Sequence, residues 1–380
     1  MATYLWALFF LGSPAIFVYT AYKIDRIAKV GTIVLAYGVG LLIGNIGVLP
    51  EDIGVLQNAL TTFTVPIALP LLFFSLDLGS WRKLARKSLL SLAAAMMAVV
   101  IGSFVAFLIF EQHLGPAGWK AGGMLVGVYT GGTPNLASIG NALATDPNVY
   151  IAVHGSDVIV GAVLLLLFVS VGPKLFRRLL PGFISEQNDR ETAVEFFPYF
   201  TGFSRRELAE MAIALGAAIL IFAIGGAFTL FLPDLAALTT AILMITTLGV
   251  AASFIPGVRK LRNTFQLGYY LILVFSLTVS SMANVEELAG TAPIMILYVA
   301  SLLVIVSILH LVLSAILKVD ADTHLITATS LIFSPPFVPV VAAAIGNRKV
   351  IVSGIVVGVV GWVVGNYIGF AVAYTLRALF

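Results

Sequence analysis

Charged residues in this chain come in clusters, and between the clusters lie apolar runs of about 20 residues, the length that crosses roughly 30 Å of hydrocarbon as a helix. The runs read as spans near 3–21, 28–48, 59–78, 88–110, 150–173, 208–231, 235–254, 264–282, 292–317 and 349–375. Composition agrees: 10% of the 380 residues are charged and 60% hydrophobic, against about 25% and about 45–50% in a soluble domain. That is too little charge to dress a water-facing surface. The chain reads as an all-α polytopic membrane protein, partnered first by the lipid bilayer. Its first run lacks a basic segment and is long enough to span, so it is expected to stay as a helix rather than leave as a signal peptide. Cys 0 excludes disulfides, thiol catalysis and thiolate metal sites, and His 4 argues against a histidine metal cage. The net charge of +3 belongs to the loops and points to no nucleic acid.

The segment 174–207 is different. It holds Lys174, Arg177, Arg178, Glu186, Asp189, Arg190, Glu191, Glu195, Arg205, Arg206 and Glu207, and reads as a cytoplasmic linker between halves at 1–173 and 208–380. Each half also contains one apolar stretch that is broken in its middle. In 119–146 the break reads Tyr129-Thr130-Gly131-Gly132-Thr133-Pro134-Asn135, and in 322–347 it reads Phe333-Ser334-Pro335-Pro336-Phe337. About 12 residues on either side make about 18 Å of helix, half a bilayer. Each stretch is therefore a re-entrant hairpin or a broken crossing helix.

Basic residues decide between these, because cytoplasmic loops carry the Lys and Arg. With two hairpins, both termini lie outside and the inner loops hold 19 of the 21 basic residues, leaving Lys120 and Arg377 outside. With two full crossings the split is 9 inside to 12 outside. The hairpin topology follows, in a membrane read as the bacterial inner (plasma) membrane. Five spans and one hairpin per half make the second half inverted relative to the first, a plan of secondary transporters. Sequence echoes support the repeat. Leu72-Phe73-Phe74-Ser75-Leu76 matches Leu273-Val274-Phe275-Ser276-Leu277, Ser138-Ile139-Gly140-Asn141 matches Ala344-Ile345-Gly346-Asn347, and Ser156-Asp157-Val158-Ile159-Val160-Gly161 matches Ser353-Gly354-Ile355-Val356-Val357-Gly358.

The run from Gly131 to Asn141, with its Ser334-Pro335-Pro336 counterpart, resembles the YjcL-like bacterial membrane family of unknown function. The resemblance covers the whole chain and implies a place in the superfamily of cation–proton antiporters and anion transporters. The paired breaks are also similar in plan to the glycine-rich hairpins of sodium–citrate and sodium–glutamate symporters. The Gly-Gly-Asn-Gly tip of those symporters is met here only by Gly-Gly-Thr-Pro-Asn, so their ligand does not carry over.

Thr133-Pro134 and Ser334-Pro335 each read as an N-cap followed by proline at the first helical position. Both breaks would then start half-helices whose positive ends point at the midplane, which favours a carboxylate or similar anion. The expected substrate group is Thr130, Gly131, Gly132, Thr133, Pro134, Asn135, Ser138, Ser334, Pro335 and Pro336. Simple kinking is the competing reading, and two breaks at equivalent repeat positions weigh against it. Asp157 lies about 7 residues past a boundary, about 10 Å deep, where an ionised Asp costs about 2.5–3.5 kcal/mol. It should have an ion-pair partner or bind a coupling cation, with Ser156, His154, Asn141 and Asn347 as the expected companions. Asp77, beside Arg82 and Lys83, reads as a snorkelling interfacial charge. His310 reads equally as a site candidate and as a satisfied packing histidine, and Asn366 and Asn284 are weaker candidates.

These residues point to a secondary active transporter, a Na⁺- or H⁺-coupled symporter of a small organic anion, amino acid or short peptide. The tips and their neighbouring spans would move as one unit in an elevator-type cycle, and the remaining spans would form a homodimer, as the similar symporters imply. No cofactor is expected beyond a bound Na⁺, and no enzyme is expected. The sequence has no Walker loop, no HExxH and no pair of intramembrane aspartates. A cation–proton antiporter is the alternative, disfavoured because Asp157 has no acidic neighbour and its repeat mate is Gly354. A channel ranks lower.

Overall fold

The computed structural model describes residues 2–24, 32–74, 86–183, 204–227 and 234–380; Asp77, Arg82, Lys83 and the linker from 184 to 203 lie outside them. Regular structure among the described residues is helical throughout. In chain order the helices are α1 (Ala2–Lys23), α2 (Thr32–Asn45), α3 (Ile53–Phe74), α4 (Arg86–Leu114), α5 (Gly118–Gly131), α6 (Thr133–Ala142), α7 (Pro147–Ser170) and α8 (Gly172–Leu179). There follow α9 (Arg205–Ala227), α10 (Asp234–Ser253), α11 (Thr264–Ser281), α12 (Val285–Ile316), α13 (Ala321–Ile332), α14 (Val338–Ile345) and α15 (Ile351–Leu379). Each of the ten runs overlaps one of these helices, with 28–31, 75–78 and 228–231 lying outside the described residues. Among the described residues, eight helices are long and apolar enough to cross a membrane, while α2 and α10 carry shorter apolar stretches, Leu35–Asn45 and Thr240–Ser253.

Both interrupted stretches double back on themselves. Gly131 packs on Asn135, and Gly127 packs on Ile139, so α6 runs antiparallel beside α5. In the second stretch Gly354 of α15 touches both Ile326 and Val338, and Gly358 touches both Ser330 and Pro335. The far ends of that pair are tied by Asn347 Nδ2 donating to Asp322 Oδ2 at 2.9 Å. Arg177 of α8 reinforces the tie, donating to Asp322 at 3.1 Å and to the Ile345 carbonyl at 2.7 Å.

The helices gather into two compact units that interleave the sequence halves. One unit holds α1–α3, residues 140–152, α9–α11 and the start of α12. Its centre is α11, antiparallel to α3, with Gln57 Nε2 donating to Ser281 Oγ at 2.9 Å and Gly268 against the Ala68 carbonyl. Phe10, Phe17, Ala36, Ile53, Leu273 and Leu277 form its apolar core.

The other unit holds α4, α5, α6 to Ile139, α7 from Val153, α8, α12 from Ala292, and α13–α15. Apolar burial gives helices little reason to associate in lipid, so close packing of small residues must do so. α15 supplies it, with Gly354, Gly358, Gly361, Gly365 and Gly369 each in contact with a residue of a hairpin.

Candidate functional site: the meeting of two hairpin tips

Contacts along α15 fix the direction of each hairpin. Gly123 meets Ala373 and Gly369 while Gly131 meets Gly361, so α5 runs antiparallel to α15. Ile326 meets Gly354 while Leu331 meets Gly361, so α13 runs parallel to it. The hairpins therefore reach α15 from opposite ends, and their tips meet beside Gly361 and Trp362. A Cβ on Gly132 would collide with Ser334 Oγ and sit 3.4 Å from Trp362 Nε1. A Cβ on Gly361 would collide with the Thr130 carbonyl.

The two turns share an unusual backbone. Gly132 has φ 73° and ψ −172°, and Ser334 has φ 79° and ψ 159°. This region suits glycine, and a residue with a side chain held there costs of order 1–3 kcal/mol. The sequence places N-caps at Thr133 and Ser334; the structure moves the first to Gly132 and keeps Ser334 at its N-cap position, with Pro335 next, without a side-chain cap. Asn135 N and Leu136 N donate to the Gly132 carbonyl, which makes Gly132 the residue that opens α6. Ser334 makes no side-chain cap, and a single 3₁₀ turn, Pro335–Phe337, precedes α14. Pro134, Pro335 and Pro336 carry no N–H, and Phe337 N donates to the Ser334 carbonyl. What remains for a ligand is the positive end of each dipole and the hydroxyls of Thr133 and Ser334, both on half-buried residues.

Several expected ligand groups serve packing instead. Thr130 Oγ1 donates to the Val126 carbonyl one turn back, at 2.7 Å. Asn135, 1% exposed, donates from Nδ2 to the Trp362 carbonyl at 3.1 Å, wedged between Gly131 and Gly365. Its Oδ1 is buried without a hydrogen-bond partner. Ser138 Oγ lies 2.5 Å from Asn366 Oδ1, so Asn366 is a strut between α6 and α15.

Asp157 on α7 is mostly buried, its side chain 13% exposed, with His154 Nε2 3.9 Å from Oδ2. The fully buried Tyr129 hydroxyl, one turn before the first tip, lies toward Asp157 without closing a hydrogen bond of normal geometry. Ser156 Oγ is buried without a partner. α7 also passes the second tip, where a Cβ on Gly161 would lie 3.7 Å from the Phe333 ring. Asp157, His154, Ser156 and Tyr129 thus share the neighbourhood of the tips.

Asn141 and Asn347 are engaged elsewhere. Asn141 Nδ2 donates to the Thr61 carbonyl at 2.7 Å, and Asn347 closes the base of the second hairpin on Asp322. Each stands at the far end of its half-helix, which removes it from the Asp157 group. Sequence reasoning missed Tyr129, Trp362 and the glycine face of α15. The spacing of glycines at 354, 358, 361, 365 and 369 is a legible signal of close helix packing. No spacing announces Trp362.

A family model described as a protein of unknown function, DUF819, matches residues 7–379. The chain is also 25% identical over 350 residues to the uncharacterized membrane protein YjcL of Bacillus subtilis (strain 168), covering 88% of this chain and 87% of that protein.

Proposed function

This chain belongs to the DUF819 family of proteins of unknown function, and we propose that it is a secondary active transporter. Its two inverted repeats would each supply five spans and one re-entrant hairpin to an inner-membrane protein with both termini outside. The observation that carries the reading is the meeting of two oppositely directed tips, with matching backbone at Gly132 and Ser334. Broken helices at mid-membrane are how transporters place polar groups where lipid would otherwise forbid them. The solute, a small organic anion, amino acid or short peptide, would sit against Thr133 and Ser334 at the two dipole ends. Asp157, with His154, Ser156 and Tyr129, would take the coupling Na⁺ or H⁺. The hairpin-bearing unit would move as the carrier, and the unit built on α11 would stay and form a homodimer.

The test is uptake by proteoliposomes across a panel of organic acids, amino acids and dipeptides, with Na⁺ or H⁺ gradients imposed separately. Accumulation above the outside concentration, in one gradient and not the other, is expected. Equilibration without accumulation would mean a channel. Cation–proton exchange is the second reading, favoured by the mostly buried Asp157 beside His154. It would appear as cation-driven proton movement with no solute present.

A further inference from the structure

Three loops share one end of the unit built on α11. Asn45 Nδ2 donates to the Ala283 carbonyl at 2.9 Å, and Asn284 N donates to Asn148 Oδ1 at 2.6 Å, which ties 46–52, 143–147 and 282–286 together. These loops carry Glu51, Asp52, Asp146 and Glu286, and neither Lys nor Arg. A surface of one sign concentrates ions of the other, here cations.

A cavity of about 360 Å³ lies at this end, within the range of small-molecule sites, about 300–1,000 Å³. Part of its lining is polar: Asn58, Thr61 and Thr62 of α3, Asn141 of α6, and Asp146, the one charged residue among the described lining. Thr61 Oγ1 donates to the Gln57 carbonyl and Asn141 Nδ2 to the Thr61 carbonyl, so what Thr61 Oγ1 and Asn141 Oδ1 have left to offer is acceptor capacity. Asp146 Oδ1 caps α7, accepting from Asn148 N at 2.8 Å, and Oδ2 is left for a ligand. Two helices, α6 and α11, bring their last turns to the lining, and the negative ends of their dipoles favour a cation. The rest is apolar: Phe275, Val279 and Met282, with Tyr150, whose ring meets Phe275 edge to face at 5.4 Å.

We propose that this cavity binds a small organic amine in its ammonium form. The ammonium N–H groups donate to Asp146 Oδ2 and Asn141 Oδ1, and the hydrocarbon body lies toward Phe275, Val279 and Met282. An anion would meet Asp146 with no Lys or Arg on the lining to hold it. A hydrated inorganic cation would leave the apolar side unused, whereas an amine uses both. The inference stands on this cavity alone and holds or fails independently of transport.

The full chain in detergent, titrated calorimetrically near neutral pH with butylamine, isopentylamine and phenethylamine, should bind at least one of them about tenfold tighter than the matching alcohol, which keeps the body and lacks the charge. Asp146→Asn retains the cap on α7, since Asn caps as well as Asp, and should weaken that amine about tenfold. Asp52→Asn, at the same end but off the lining, should change it less than about twofold at physiological salt. NaCl and KCl at equal ionic strength should weaken the amine alike, by screening. Displacement by Na⁺ and not K⁺ would reassign the site to an inorganic cation and overturn the proposal. So would amines that bind no better than their alcohols, or Asp146→Asn with no more effect than Asp52→Asn.

Discussion

Ser334 is held in a conformation that glycine adopts freely, at φ 79°, opposite a glycine in nearly the same conformation. A strained residue persists where its surroundings insist on it, and such residues gather at ligand clamps. Ser334→Gly should therefore raise stability by about 1–3 kcal/mol, read as a higher melting temperature, while lowering solute affinity through the lost hydroxyl. If melting and affinity both stay put, Ser334 contributes neither strain nor contact. Asp157→Asn should leave the protein folded and abolish uphill uptake, and gradient-driven accumulation by that variant would return Asp157 to a structural role.

Asn135 shows where sequence stops. A polar residue just inside a half-helix looks the same whether it faces a solute or a neighbouring helix, and its partner Trp362 is 227 residues away. Asn135→Ala should cost about 1–3 kcal/mol of stability, because it removes a buried hydrogen bond from the Trp362 carbonyl. The break itself was legible, since Gly131-Gly132 followed by Pro134, and Ser334 followed by two prolines, can continue no helix.

At the scale of elements, the hairpins were readable from the distribution of Lys and Arg, because a charge moved to the wrong side of a membrane is expensive for every loop at once. Which helix they lean on was not readable, because apolar helices of equal length are alike to any local pattern. The glycines of α15 are the exception, and Gly361 is the tightest of them, facing the Thr130 carbonyl and Leu331. Gly361→Val should separate both tips from α15 and lower the melting temperature far more than Gly216→Val, since nothing lies within 4 Å of a Cβ on Gly216. Topology has its own check in this Cys-free chain. Cysteine at Asp146 should react with an impermeant thiol reagent from outside, and cysteine at Lys349 from the cytoplasm only. Labelling of both from one side would remove the opposed entry of the two hairpins.

At the scale of the whole molecule, two units drawn from both halves of the chain were beyond sequence reasoning, since linear order says nothing about which distant helix a helix joins. If the hairpin-bearing unit moves as a body, a bond inside it should not matter. Gly102 of α4 faces Val306 of α12, where a Cβ would lie 2.8 Å from Val306 Cγ2. A disulfide between cysteines placed there should form, given the usual Cβ–Cβ reach of about 3.5–4.5 Å, and leave uptake intact. Loss of uptake on oxidation, restored by reductant, would mean that α4 and α12 slide during the cycle. The place of α15 has a further effect, on the clock of synthesis. At about 5–20 residues per second, Asn135 is made about 11–45 s before Trp362, 227 residues on. Through that interval the first hairpin can lean on α4 but lacks α15, and its buried amide, its turn and its glycine surface depend on lipid or on whatever attends insertion. A chain stopped before Ile351 should thus carry a first hairpin that proteases of the membrane recognise as unfinished.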